Sequence, residues 1–247
     1  YSRWIEEEGR RETWVETVER YVNFMKENLG GKLSDQEYEE IRQAILNQEV
    51  MPSMRLLWSS GQTAKATNVA AYNCSFIAPT QLRDFGEIMY LLMCGTGVGF
   101  SVEQQNVQQL PQIMPQTGKV QPAHIVEDSR EGWADAFIKG LNAWFSGEDI
   151  RYDYSKVRPT GARLKTMGGK SSGPGPLREL VDFSRRKIFS RQGRRLEPID
   201  VHDIVCKIGE IVVAGGVRRS ALISISDFDD EKMRLAKMGQ FFLTEPQ

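Results

Sequence analysis

At 247 residues, with 40% hydrophobic and 26% charged side chains, the chain is long enough for one large domain or two small ones and apolar enough to bury a core. Thirty-two basic against 33 acidic residues leave a formal net charge of -1, which excludes a chain-wide nucleic-acid footprint. No apolar run approaches the roughly 20 residues of a membrane span, so neither a membrane nor a nucleic acid is expected as a partner.

The cysteines Cys74, Cys94 and Cys206 and the histidines His124 and His202 show no metal-ligand spacing. An odd number of scattered thiols fits a reducing compartment, and a cytoplasmic protein is expected. The opening stretch Tyr1 to Gly9 is acidic and aromatic, unlike a signal peptide. It lacks an initiator Met, so the numbering is expected to begin inside a longer gene product.

Taken in chain order, Glu6 to Leu29 reads as a helix, because Trp14, Val18, Tyr21, Val22 and Met25 recur at three- and four-residue steps. Gly30-Gly31 ends it. Ser34 with Glu37 forms a capping-box pattern that opens a second helix from Asp35 to about Asn47. Residues 51–61 run from Pro52 to a Ser-Ser-Gly turn. Tyr72 to Ile77 reads as a strand, and Asp84 to Cys94 as a helix that leads into Gly95-Thr96-Gly97-Val98-Gly99 and then the alternating Phe100-Ser101-Val102.

The glutamine-rich stretch Gln104 to Gln121, with Pro111 and Pro115, reads as an irregular connection. Glu127 to Ser146 carries Trp133, Phe137, Leu141 and Trp144 on one helical stripe. Arg158 to Gly169 reads as extended and Lys170 to Pro176 as a loop. Leu177 to Ser190 and Asp200 to Ala214 read as helices, and Ala221 to Ser226 as a strand rich in β-formers. Alternating strands and helices indicate an α/β fold.

Three glycine-rich turns are candidates for chemistry. Gly95 to Gly99 follows a helix and precedes a strand, the reverse of a dinucleotide fingerprint, and it lacks a P-loop lysine; a tight packing turn is its ordinary reading. Gly168-Gly169-Lys170-Ser171-Ser172-Gly173-Pro174 offers backbone N–H groups, hydroxyls and a cation to a phosphate, or is a plain surface loop. Gly215-Gly216-Val217-Arg218-Arg219-Ser220-Ala221 sets two guanidiniums beside an apolar helix and strand. Arginine pairs phosphate oxygens bidentately, and adjacent buried charges are hard to explain by packing. Cys74, in the strand after Asn73, is by base rate a small apolar filler and only sometimes a redox thiol. The basic clusters Arg185-Arg186-Lys187 and Arg191 to Arg195 read as solvated faces.

In this order, Met51-Pro52-Ser53-Met54-Arg55, Asn73-Cys74-Ser75-Phe76, Gly95 to Glu103, Gly168 to Leu177 and Val213 to Asp227 resemble the monomeric, adenosylcobalamin-dependent ribonucleoside-triphosphate reductases. The stretch from Gly215 to Ser224 is the most specific, and the resemblance covers nearly the whole chain. It implies the first part of a ten-stranded α/β barrel over residues 51–247, a helical lead over 1–50, and an effector-binding insertion near 123–157.

The resemblance also implies roles. Cys74 corresponds to one half of the redox pair that becomes a disulfide. Ser53, Asn73, Arg218 and Arg219 fall in segments facing substrate. Gly169, Lys170, Ser171 and Ser172 fall in a first specificity loop, and Gly215, Gly216 and Val217 in a second, which read a deoxynucleotide effector. The implied cofactor is adenosylcobalamin, and the implied reductant is thioredoxin or a similar dithiol.

The chain departs from that pattern: no Asn-Pro-Cys-type motif for a radical-bearing thiol is present, neither Cys94 nor Cys206 fits that place, and the second redox cysteine and the C-terminal thiol pair are missing too. A fragment, one half of a split enzyme or an intein-interrupted piece is therefore expected, completed by the remaining C-terminal part. The alternatives are a reductase with a metal-based radical source, a non-catalytic nucleotide-binding fragment that keeps the effector loops, and an α/β domain with no nucleotide site.

Overall fold

The computed structural model describes residues 2–162, 170–214 and 221–238. They divide into two compact units, Tyr1–Asn73 and Cys74–Gln247.

The first unit opens with a short antiparallel pair, β1 (Trp4–Ile5) and β2 (Arg10–Arg11), with Trp4 opposite Arg11. Helix α1 (Trp14–Leu29) follows, so the helix expected from Glu6 begins eight residues later. Thr13 sets its start: the Thr13 hydroxyl accepts from the Glu16 N–H at 3.2 Å, and the Glu16 carboxylate accepts from the Thr13 N–H at 2.6 Å. This reciprocal cap satisfies two donors that a helix start otherwise orphans. Arg10 fixes the same carboxylate from the strand side.

Helix α2 (Asp35–Leu46) starts with the expected Ser34–Glu37 box. Val18, Val22, Tyr38 and Ile45 bury between α1 and α2. Two short helices, α3 (Met54–Ser59) and α4 (Gln62–Ala66), complete the unit. The open carbonyls at the end of α3 are taken by arginines. Arg20 donates to the Leu57 and Ser60 carbonyls at 3.0 Å each, and Arg3 to Trp58 and Ser59. Glu12 neutralises Arg20 at 2.8 Å.

In the second unit the order is β3 (Cys74–Ile77), α5 (Leu82–Met93), β4 (Gly97–Ser101), α6 (Gln104–Val107), β5 (Val120–Ile125), α7 (Arg130–Phe145), β6 (Asp149–Asp153), α8 (Gly175–Phe189), α9 (Pro198–Ala214), β7 (Leu222–Ile225) and α10 (Glu231–Leu235). Strands β3, β4 and β7 form a parallel sheet with β4 in the middle, and β5 and β6 a separate parallel pair bridged by α7. Parallel neighbours need a crossover, and α5 and α7 supply it for β3–β4 and β5–β6.

One core joins Phe85, Ile88 and Leu92 of α5, Phe100 of β4, Phe137, Leu141 and Trp144 of α7, Leu177 and Ile188 of α8, and Val201, Ile204 and Ile208 of α9. The glutamine-rich connection is less irregular than expected, because it holds α6 and the start of β5. Of the expected glycine turn, Gly95 alone makes the reversal, at φ +81°; Gly97 and Gly99 lie within β4.

The α/β class holds, but a ten-stranded barrel is not what the described residues form. They contain seven strands in three small sheets. The expected extended run from Arg158 is instead a turn as far as Ala162, with Gly161 at φ +89°, and 163–169 lie outside the described residues.

Candidate functional site

Cys74 is the first residue of β3, and its thiol is exposed. Strand alternation sends Cys74 and Phe76 to one face of the sheet and Ser75 and Ile77 to the other. Across the ladder Cys74 pairs with Gly97 and Phe76 with Gly99; Gly99 in turn pairs with Ile223. A methyl group at Gly99 would stand 3.1 Å from the Phe76 ring and 3.2 Å from Ile223. The glycine thus lets those two side chains close over bare backbone.

The result is an open sheet face. Cys74 sits at the start of β3, two glycines lie in the middle strand, and Phe76, Ile223 and Ile225 are exposed at 57%, 65% and 43%. Parallel sheets ordinarily have both faces covered; among the described residues α5 and α9 pack on the opposite one.

At the carboxyl end of β4, buried Ser101 donates to the Glu103 carboxylate at 2.7 Å and accepts from the Asn106 amide at 2.9 Å. The Asp227 carboxylate, just past β7, accepts from the Gln104 N–H at 2.6 Å. Sequence reasoning missed this polar cluster. Its signal is the Ser101-x-Glu103-x-x-Asn106 spacing, which a helix-start pattern can produce as easily.

The other expected site residues divide. Ser53 and Asn73 belong to the first unit. Ser53 caps α3, its hydroxyl accepting from the Leu56 N–H at 3.4 Å, and the Asn73 side chain accepts from Arg55 at 3.4 Å. Ser171 and Ser172 are tied to residues 160–162. The Gly161 N–H donates to the Ser171 carbonyl and the Ser171 N–H to the Ala162 carbonyl, both at 2.7 Å, while the Thr160 hydroxyl donates to the Ser172 carbonyl at 2.8 Å. Lys170 is exposed. Gly169, Gly215, Gly216, Val217, Arg218 and Arg219 lie outside the described residues.

Between β5 and β6 the side chains are held tightly. The Lys139 ammonium stands 3.1 Å from His124 Nδ1; burial and then that cation push the His124 pKa down. Arg178 lies over the Tyr154 ring at 4.7 Å, and burial pushes the Tyr154 hydroxyl up to about 12. The Tyr152 hydroxyl donates to the Ala136 carbonyl at 3.0 Å. Among the described residues no group of three or more His, Cys, Asp and Glu is placed to hold a metal ion.

Comparison with known proteins supplies what the geometry leaves open. Residues 104–185 match the family model of the insertion domain of B12-dependent ribonucleotide reductase, a span wider at both ends than the insertion expected from the resemblance. The adenosylcobalamin-dependent ribonucleoside-triphosphate reductase of Euglena gracilis is 32% identical over 90% of this chain, and that of Lactobacillus leichmannii is 30% identical over 97%. The chain covers 33% and 41% of those two proteins. A crystal structure of a B12-dependent, class II ribonucleotide reductase superposes with a TM-score of 0.81 at 26% identity, covering 98% of this chain and 42% of that one. In sequence, in the stretch matching the insertion domain and in fold, the chain is similar to the B12-dependent class II ribonucleotide reductases, and it spans less than half the length of the relatives it matches.

Proposed function

We propose that the chain is the effector-sensing and thiol-bearing part of an enzyme that reduces ribonucleoside triphosphates to 2′-deoxyribonucleotides. The observation that carries this reading is the open sheet face, where an exposed thiol begins a parallel strand beside a glycine-lined middle strand. In this reading the strands β3, β4 and β7 are the first part of the family's barrel, which the remaining polypeptide closes over that face. Cys74 is one of two thiols that give up two electrons and two protons to the substrate and become a disulfide. Thioredoxin or a similar dithiol then returns the pair to its reduced state. Of the other described thiols, Cys94 is buried and Cys206 contacts His202, so the second member of the pair is assigned to neither.

The insertion around 123–157, together with Gly169, Lys170, Ser171 and Ser172 and the segment of Gly215, Gly216 and Val217, reads a deoxynucleotide effector, and Arg218 and Arg219 at the end of that segment reach toward the substrate. Ser53 and Asn73 face the substrate, and a cytoplasmic location fits the thiol chemistry. No helix among the described residues is long and apolar enough to cross a membrane.

The cofactor in the relatives' names is adenosylcobalamin, which supplies radical chemistry when bound. Neither described histidine is free to ligate cobalt, since His124 is engaged by Lys139 and His202 by Asp203 and Cys206. In this reading most of the cobalamin site belongs to the rest of the enzyme.

Calorimetry of the chain with deoxynucleoside triphosphates tests the effector reading. Saturable binding that is lost in Arg218→Ala with Arg219→Ala is expected; absence of binding would remove the effector role. With adenosylcobalamin, ATP or CTP and a dithiol, the chain alone is expected to show no turnover, and steady turnover would overturn its reading as a part. In the completed enzyme, Cys74→Ser is expected to abolish dithiol-driven multiple turnover; turnover at the parent rate would sink the redox assignment.

A further inference from the structure

Cys206 has no part in the reading above. It lies exposed on α9, one helical turn after His202. Its sulfur stands 3.6 Å from Nε2 and 3.8 Å from Nδ1 of that ring, close to both nitrogens at once. The His202 side chain is only 16% exposed, with Asp203 Oδ1 3.5 Å from Nδ1 and the Phe100 ring 6.1 Å away. Asp203 is in turn held by Lys187 of α8 at 2.7 Å, and Lys187 also stands 3.7 Å from Asp200. Asp203 first, and the Cys206 sulfur second, raise the His202 pKa to about 9, so the ring is cationic at neutral pH. The imidazolium therefore stands within reach of the sulfur and can hand its proton to a thiolate leaving from it.

The other two thiols differ. Cys94 is buried, with an Arg130 nitrogen 3.6 Å from its sulfur, and no reagent reaches it without local opening. Cys74 is exposed but has no imidazole contact among the described residues.

We propose that Cys206, with His202 beside it, is a site of thiol–disulfide exchange with small disulfides of the glutathione type. The Cys206 thiolate attacks one sulfur of the small disulfide. That S–S bond breaks as the new Cys206–S bond forms, and the departing thiolate takes the proton carried by the His202 imidazolium. One disulfide and one thiol enter and one of each leaves, so no further oxidant is needed. The product is a mixed disulfide on α9, which a dithiol reverses by the same chemistry.

The test incubates the folded chain with oxidised glutathione and follows the adduct at each cysteine by peptide mass spectrometry. The Cys206 adduct is expected to form at least about tenfold faster than the one at Cys74 and to disappear with dithiothreitol. In His202→Ala its rate is expected to fall toward that of Cys74, and added imidazole to restore part of it, which a merely structural role would not allow. Equal rates at Cys206 and Cys74, an unchanged rate in His202→Ala, or a fall that imidazole does not reverse would each overturn the proposal. If circular dichroism shows that His202→Ala is unfolded, the Cys206-to-Cys74 ratio in the parent chain decides alone.

Discussion

Gly140 sits in the middle of α7 although glycine weakens a helix interior by about 1 kcal/mol relative to alanine. The reason is the close approach of Tyr152 from β6: a methyl at Gly140 would overlap the Tyr152 hydroxyl and the Trp144 ring. That hydroxyl is fixed by its bond to the Ala136 carbonyl, and Trp144 is fully buried, so neither can step aside. Gly140→Ala should therefore destabilise by about 1–3 kcal/mol, the range for overpacking, despite its better helix propensity; a urea midpoint at or above the parent's would contradict this. A second residue-scale effect concerns His202. Its folded-state pKa is raised to about 9 from 6.5, so its contribution to stability is complete below pH 6.5 and lost as the pH rises through 9. Urea midpoints at pH 6.5 and 9.5 should converge for the parent and His202→Gln, with the parent favoured at the lower pH; a constant gap would show that the ring acts by packing alone.

Helices α7 and α8 and strand β6 meet at one carboxylate. Asp149 at the start of β6 accepts from Arg185 of α8 at 3.0 Å and from the Trp144 indole of α7 at 3.3 Å. Arg185, and burial against it, leave the Asp149 pKa below the ordinary carboxylate value. The pair is partly exposed, at 38% and 27%, which screens it, so Arg185→Gln should cost about 1 kcal/mol at neutral pH. That loss should be full above about pH 4 and close as the pH falls through the depressed value; thermal melts of both forms from pH 2 to 7 measure it. At this scale the sequence was uneven as a guide. The Ser34–Glu37 box and the apolar stripes of α1, α5 and α7 were legible because side-chain spacing and capping act locally. Strand β6 was not, because Asp149, Arg151 and Asp153 interrupt its apolar character, and neither was β5, which contains Pro122. Strand β2 hid inside an apparent helix, although Thr13 with Glu16 marks where that helix really starts.

At the scale of the molecule, the covered side of the three-stranded sheet and its bare side follow from different information. Buried Val98 and Phe100 announce a core, but nothing local says that Phe76, Ile223 and Ile225 share a face, since that depends on which strands become neighbours. The candidate site was legible in the same partial way: Cys74 stood out through a resemblance, whereas its position beside Gly97 came only with the strand register. The exposed face predicts that the chain binds the apolar dye anilinonaphthalene sulfonate while folded. Phe76→Asp with Ile223→Asp should reduce that signal and shift stability by no more than about 1 kcal/mol, because neither side chain is buried; unchanged dye fluorescence would place the apolar surface elsewhere. The same register has a consequence for synthesis. The first partner of β4 precedes it by some twenty residues, but its second, which pairs Val98 with Leu222, lies more than a hundred residues downstream. At roughly 5–20 residues per second a ribosome takes on the order of ten seconds to deliver it. During that interval β4 is an unprotected edge, while the β5–α7–β6 unit, whose contacts are nearer in sequence, has already emerged and can close on itself. The nascent chain thus acquires its insertion before its central sheet, and the interval between the two is when it is most open to pairing with a neighbour.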